Sequence, residues 1–310
     1  MNTYAIKTEG LSRRFGRTLA LDQLNLTVPQ GAIYALVGPN GAGKTTLIKL
    51  LMNILRPSTG TSLVLGMDSK KLAGAAFTQI GYVSENQELP EAMTVAGLLN
   101  YMRPFYPRWD RALEQQLVRQ FDLPLDRKLS QLSRGMKMKA AFASSLAYRP
   151  ALIVMDEPFS GLDPLVRDEM IDGLLERAPE TTIFLSSHDL AEIESFASHV
   201  GFLDAGRLLF SEEMTTLSER FREVSVILDN PAPLPTTLPS DWLLPQTSEC
   251  LLRFVHSAYR EQSTPRELAE RFPAAHDIAF DPMPLRSIFL AIAKAKRGSD
   301  GLIPAQEKIA

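Results

Sequence analysis

Short apolar runs and turn residues alternate along the first part of the chain, which is typical of an α/β domain. Residues 5–6 and 24–28 predict antiparallel strands, followed by a turn at 29–31. Continuous apolar runs at Ile33–Val37, 152–155 and 182–186 predict strands buried on both faces. A helix is predicted at 46–52. Because strands and helices alternate, we expect a mostly parallel sheet.

A helix-rich insert, about residues 88–150, is predicted ahead of the run at 152–155. Asp110 can cap a helix whose apolar residues lie on one face: Leu113, Leu117 and Phe121. Another helix is predicted to begin near Ser133 and to end before Pro150. Turn residues at 204–207 between two apolar runs predict a hairpin.

The character of the chain changes after about residue 220, where prolines become frequent. Irregular chain is predicted around the prolines between Pro231 and Pro245. Strands at 224–228 and 251–255 and helices at Thr264–Arg271 and 284–296 predict a small α+β appendage. The domain boundaries that follow are 1–218 for the main domain, 219–297 for the appendage and 298–310 for a disordered tail.

Composition narrows the class of protein. The 310 residues are 45% hydrophobic and 22% charged, which is ordinary for a soluble globular protein. A net charge of -3 argues against nonspecific nucleic-acid binding, so no nucleic-acid partner is expected. The single cysteine, Cys250, fits a reducing cytosol. Neither a signal peptide nor an apolar run of about 20 residues is found, so no membrane span is expected.

The strongest local motif follows the first buried run: Gly38-Pro39-Asn40-Gly41-Ala42-Gly43-Lys44-Thr45-Thr46. It fits the P-loop pattern between a strand and a helix. Glycines allow successive backbone N–H groups to face phosphates, and the following helix adds its positive N-terminal end. Lys44 can reach the β- and γ-phosphates of ATP, and the Thr45 hydroxyl can bind Mg²⁺.

A pair of acids ends the apolar run at 152–155. Asp156 and Glu157 are thereby placed at the carboxyl end of a buried strand, the edge at which open α/β sheets bind ligands. Asp156 is predicted to hold Mg²⁺, and Glu157 is predicted to polarise the attacking water.

Further motifs, together with these two, resemble those of ABC ATPases. They are the signature-like Leu132-Ser133-Arg134-Gly135-Met136, the D-loop-like Ser160-Gly161-Leu162-Asp163, His188 as the switch histidine, Phe15 as the aromatic that stacks on adenine, and Ile80-Gly81-Tyr82-Val83-Ser84-Glu85 as the approach to the Q-loop. In order and spacing, residues 1 to about 218 resemble an ABC transporter ATPase subunit. The chain with its appendage is similar to bacterial ATPases of ABC-2-type exporters.

The resemblance implies a fold and a set of roles. The fold would be an α/β P-loop NTPase of ABC type, with an antiparallel β subdomain, a mostly parallel core sheet and a helical insert. Ser133 and Gly135 would bind the γ-phosphate held by the opposite subunit of a head-to-tail dimer, and Asp163 would lie across that interface. His188 would hold Glu157 and the water in line.

The resemblance also implies partners. These would be a second ABC ATPase subunit, identical or not, and an integral membrane permease, with the chain cytoplasmic and peripheral on the inner face of the cell membrane. ATP and Mg²⁺ are the expected cofactors. The segment 85–109 is predicted to receive a permease loop, because it leads from the γ-phosphate site into the insert and is rich in aromatics. The alternative for each aromatic is packing inside the domain.

Three positions depart from the family pattern. Arg134 replaces the first signature glycine, Met136 replaces glutamine, and Glu85 stands where the Q-loop glutamine is usual. Glu85 is predicted to ligate Mg²⁺, since carboxylates suit this ion. The competing interpretation of the whole chain is a soluble, non-transport ABC ATPase acting on a cytosolic complex.

Overall fold

The computed structural model describes residues 3–85, 87–230 and 238–300, with side chains described as far as residue 295. The chain divides into two compact units between Glu212 and Glu213. Most of the predicted tail and part of the proline-rich segment, residues 231–237, lie outside the described residues. Within the described chain, no helix is both long and apolar enough to span a lipid bilayer.

The first unit is an α/β domain with two sheets. Its strands are β1 Tyr4–Phe15, β2 Thr18–Pro29, β3 Ile33–Val37, β4 Thr59–Val64, β5 Met67–Asp68, β6 Ile80–Ser84, β7 Leu152–Asp156, β8 Thr182–Ser187, β9 His199–Asp204 and β10 Arg207–Glu213. Its helices are α1 Lys44–Leu51, α2 Val95–Met102, α3 Arg111–Gln120, α4 Arg134–Leu146, α5 Pro164–Leu175 and α6 Leu190–Glu194.

The larger sheet has the order β10-β9-β3-β8-β7-β6. The pairs from β6 to β9 are parallel, which confirms the predicted, mostly parallel core. Every residue of β3, β7 and β8 is buried, as the continuous apolar runs predicted. Because the strands are parallel, the segments after β3, β6, β7 and β8 leave at one edge, where the candidate site forms.

The smaller sheet is antiparallel, in the order β2-β1-β4-β5. The predicted strands at 5–6 and 24–28 are confirmed, but each is part of a longer strand, β1 or β2. Several register shifts interrupt the β1–β2 pairing. These shifts break the alternation of apolar and polar residues, and they explain why the sequence pattern showed only the strand cores.

Helical caps in the insert follow the sequence closely. The Asp110 carboxylate accepts from the backbone N–H groups of Ala112 (2.9 Å) and Leu113 (3.0 Å) at the start of α3. These bonds, led by the one from Leu113, and the Arg149 guanidinium lower the pKa of Asp110. Ser133 caps α4 by accepting from the Met136 N–H at 3.2 Å. Both predicted helix starts are confirmed.

The second unit is an antiparallel sheet of order β12-β13-β11-β14 with three helices. Its elements are α7 Met214–Arg220, β11 Arg222–Leu228, β12 Trp242–Ser248, β13 Leu251–His256, α8 Thr264–Arg271, β14 Ala275–Pro282 and α9 Leu285–Asp300. β12 lies in the region predicted to be irregular. As an edge strand it tolerates Pro245, which cannot donate to a ladder. α9 includes residues 298–300 of the predicted tail.

His256 is a buried histidine in this unit. Its Nδ1 accepts from the Ala258 N–H at 3.2 Å, and its Nε2 lies 3.3 Å from an Asp241 carboxylate oxygen. Burial lowers the pKa of His256, and the Asp241 carboxylate only partly opposes this shift. Because Nδ1 accepts this hydrogen bond, the ring proton lies on Nε2, beside Asp241.

Candidate active site

The P-loop lies between β3 and α1, where its glycines allow close backbone approach. A Cβ on Gly38 would lie 2.0 Å from the Leu203 carbonyl oxygen, and one on Gly43 would lie 2.6 Å from the Ala20 carbonyl oxygen. Gly43, with φ of 110°, is also the N-cap of α1. Side chains at these positions would push the loop away from its neighbours. The exposed residues Pro39, Asn40, Gly41 and Thr45 form the outer surface, Ala42 is buried, and Thr46 is half-buried.

Lys44 is a buried cation surrounded by oxygen atoms. Its Nζ donates to the carbonyl oxygens of Gly38 at 2.7 Å and Pro39 at 3.3 Å, and lies 3.1 Å from Glu157 Oε1. Its side chain is only 5% exposed. A phosphate oxygen is the same kind of acceptor, so the site fits the polyphosphate of a nucleotide.

The two acids at the end of β7 are held by a serine near the end of β8. Ser186 Oγ donates to Asp156 Oδ1 at 2.8 Å and accepts from the Glu157 N–H at 3.0 Å. Thr45 Oγ1 donates to the same Asp156 oxygen at 3.1 Å. No role was predicted for Ser186. The available signal was a pair of polar residues at the end of a buried strand.

Glu157 is held between two cationic or polar partners. One carboxylate oxygen faces Lys44, and the other lies 2.7 Å from Nδ1 of His188. Its φ of 51° is unusual for a non-glycine residue and costs free energy. The surroundings thus fix this carboxylate beside the P-loop, within hydrogen-bonding distance of His188.

A cavity of about 300 Å³ opens beside these residues. Its lining combines α1, β6, the segment after β6 and the end of β7: Thr45, Lys49, Tyr82, Ser84, Glu85, Gln87, Asp156 and Glu157. Burial raises the pKa of Tyr82. Thr45 and Asp156 offer neighbouring oxygen donors, the ligand type that Mg²⁺ prefers.

Comparison with known proteins gives the family. The ABC transporter family profile matches residues 21–160. The chain is 31% identical to the ABC transporter ATP-binding protein YtrB of Bacillus subtilis over 72% of its own length and 77% of that protein. The chain belongs to the ABC transporter ATP-binding proteins. ABC ATPases bind ATP and hydrolyse it to power transport.

Two further relatives agree with this assignment. The bacitracin transport ATP-binding protein BcrA of Enterococcus faecalis is 31% identical, over 71% of this chain and 73% of that protein. A solved ATP-binding subunit of an ABC transporter is 27% identical with a TM-score of 0.63, covering 69% of this chain and 91% of the other. The ABC fold predicted from the motifs is therefore confirmed.

The remaining motif residues of this ABC ATPase lie outside the cavity lining. Ser133 is the exposed N-cap of α4, with Gly135 in its first turn, and Asp163 is the exposed N-cap of α5. Phe15, 43% exposed, ends β1, with the Arg13 guanidinium 4.5 Å from its ring centre. Their roles stay predictions.

Two departures from the family pattern are in contact. Glu85 lines the cavity, yet its Oε1 accepts from Arg134 Nη2 at 2.5 Å and from Ser160 Oγ at 3.0 Å. Its role as a metal ligand stays a prediction, and these contacts favour pairing with Arg134. No sequence signal linked the two residues.

Proposed function

We propose that this chain powers export through a separate integral membrane permease, as one ATPase subunit of a dimer that works at the inner face of the cell membrane. The hydrolytic part rests on the row of contacts from Lys44 through Glu157 to His188. The transport part rests on similarity to BcrA, whose name assigns it to bacitracin transport, and the direction rests on the resemblance to ATPases of ABC-2-type exporters. Neither relative is named for a cytosolic, non-transport role, which disfavours that alternative.

Each residue of the row has a proposed task. Lys44 exchanges part of its present oxygen contacts for the β- and γ-phosphates of ATP. Glu157, released from Lys44 in the process, accepts a hydrogen bond from the attacking water and polarises it. His188 keeps the Glu157 carboxylate in place through the contact at 2.7 Å. Mg²⁺ bound through Thr45 and Asp156 would neutralise charge on the phosphate oxygens.

The dimer supplies the rest of the proposed site. Ser133 and Gly135 contribute the N-terminal end of α4 to the γ-phosphate bound by the other subunit, where the helix dipole favours an anion. Asp163 lies at the interface, and Phe15 stacks on the adenine. Ser133, Asp163 and Phe15 are exposed in the single chain, as contact with a partner or base requires.

The proposed permease surface is narrower than the segment 85–109. Tyr106 stacks on Tyr148 with ring centres 3.8 Å apart, and Trp109 donates to Glu114 at 2.6 Å, so both pack inside the domain. Tyr101 and Phe105 are 54% and 59% exposed. Their sequence neighbours Met102 and Tyr106 line a further cavity, of about 320 Å³, together with Met52 and Ile54. Exposed aromatic residues are suited to contact with a protein partner.

The test uses the full chain with its membrane partner. Tyr101→Glu and Phe105→Glu are expected to keep the basal ATPase rate of the purified subunit and to lose its stimulation by the permease. Leu290→Glu, which changes a 50%-exposed apolar residue of the second unit, is the control and should keep stimulation. If the chain copurifies with no integral membrane protein, the transport proposal is wrong. If only Leu290→Glu loses stimulation by the permease, the coupling surface lies in the second unit.

A further inference from the structure

Glu85 and Arg134 come from distant parts of the chain and form one charged contact. Arg134 Nη2 lies 2.5 Å from Glu85 Oε1, and Ser160 Oγ donates to the same oxygen at 3.0 Å. These side chains join three segments: the segment after β6, the first turn of α4, and the segment after β7.

The Arg134 guanidinium is also packed against backbone. A Cβ on Gly161 would lie 2.8 Å from Nη1, so a side chain there would displace the guanidinium from this position. With Glu85 and Ser160, Gly161 gives Arg134 a defined site within its own subunit.

Each end of this contact belongs to a different nucleotide site. The Glu85 N–H donates to the Asp156 carbonyl oxygen at 3.0 Å, and the Glu85 side chain lines the cavity beside the chain's own P-loop. Arg134 directly follows Ser133 at the N-terminus of α4. Under the proposed function, on which this inference rests, that end of α4 serves the nucleotide of the other subunit.

We propose that Glu85 and Arg134 act as one positioning pair, which holds the N-terminus of α4 to the wall of the chain's own nucleotide cavity. Binding of ATP in that cavity is thereby transmitted to the helix end that serves the second ATP. Arg134 has an electrostatic task as well. It neutralises a carboxylate that would otherwise repel the phosphates.

The pair positions the helix and contributes little to folding. The side chain of Arg134 is 50% exposed and that of Glu85 is 28% exposed. Ion pairs that are this accessible to water add little to the free energy of unfolding. Variants of either residue are therefore expected to fold with nearly unchanged Tm.

A double-mutant cycle on the full chain tests the pair: wild type, Glu85→Gln, Arg134→Gln, and both together. Lys137→Gln is the matched control, because Lys137 lies on the same helix and forms a comparable exposed ion pair with Glu91 at 3.4 Å. The measurements are Tm, the Kd for Mg-ATP by calorimetry, and backbone hydrogen exchange at 133–138 with and without ATP.

Arg134→Gln is expected to raise the Kd about fivefold or more, because Glu85 is left unneutralised. The double variant should recover most of this affinity, since the excess charge is gone. Exchange at 133–138 should be faster in Arg134→Gln than in Lys137→Gln already without nucleotide. Addition of ATP should slow exchange there in wild type and in Lys137→Gln only.

The proposal would be overturned if the two substitutions had additive effects on the free energy of Mg-ATP binding. Equal hydrogen exchange at 133–138 in Arg134→Gln and Lys137→Gln would also overturn it. A Glu85→Gln variant whose loss of Mg-ATP affinity is the same with and without Arg134 would also overturn it and would identify Glu85 as a metal ligand. If the wild type binds no ATP, the proposed function fails, whereas the nucleotide-free exchange comparison still decides on the pair.

Discussion

Removal of the Lys44 ammonium tests the phosphate site directly. In the structure, Nζ contacts two loop carbonyls at 2.7 and 3.3 Å and Glu157 at 3.1 Å. Binding of ATP exchanges part of these contacts for phosphate oxygens, so the net contribution of a hydrogen bond to a charged group applies. A charge-assisted hydrogen bond contributes about 1.5–3 kcal/mol. Lys44→Ala should therefore raise the Kd for ATP about 10- to 150-fold.

Lys49→Ala is the matched control for this experiment. Lys49 lies on the same helix and lines the cavity beside the P-loop, so both substitutions remove one positive charge near the proposed phosphate site. Long-range attraction in water is screened, and we expect the Kd of Lys49→Ala to change less than about threefold. Calorimetry with Mg-ATP measures both values. Equal affinity in wild type and Lys44→Ala, or equal losses in the two variants, would refute the assignment of Lys44 as the phosphate contact.

Two further predictions concern the dimer and the second unit. When a Ser133→Arg chain is mixed with a Lys44→Ala chain, each mixed dimer should contain at most one complete site. The ATPase activity of the mixture measures this. Full activity of an isolated monomer would contradict a shared site. Because the pKa of His256 is lowered on folding, the unfolded chain takes up the proton first as pH falls below about 6.5. As the pH is lowered, the Tm should therefore decrease more steeply in wild type than in His256→Gln. His276 is exposed, so His276→Gln should show the same dependence of Tm on pH as wild type. An equal dependence of Tm on pH in all three proteins would refute this prediction.

Elements that are encoded by a local sequence pattern were predicted well. β3, β7 and β8 are continuous apolar runs because both faces of the sheet are covered, and the P-loop needs its glycines within one short segment. β4, β5, β6, β12 and β14 were not predicted as strands, since none has more than three consecutive apolar residues. In β12, Pro245 is acceptable because the strand lies at an edge and its register shifts there, and both are tertiary features.

Contacts between distant segments could not be predicted. Glu85 and Arg134 are 49 positions apart, and each looked like an isolated departure from a family pattern until the fold brought them together. The aromatics of 85–109 show the same limit. Their spacing does not reveal that Tyr106 stacks on Tyr148 while Phe105 faces outward.

The proposed role of Glu157 in hydrolysis is tested by comparing ATP binding and phosphate release in wild type and Glu157→Gln. The substitution keeps the shape of the side chain and removes the charge that polarises water. Glu249→Gln is the control, because Glu249 is an exposed glutamate of similar backbone φ, 50° against 51°. We predict that all three proteins bind ATP, and that Glu157→Gln alone retains it, accumulates as a dimer and loses phosphate release. Unchanged phosphate release in Glu157→Gln would show that this carboxylate does not activate the water.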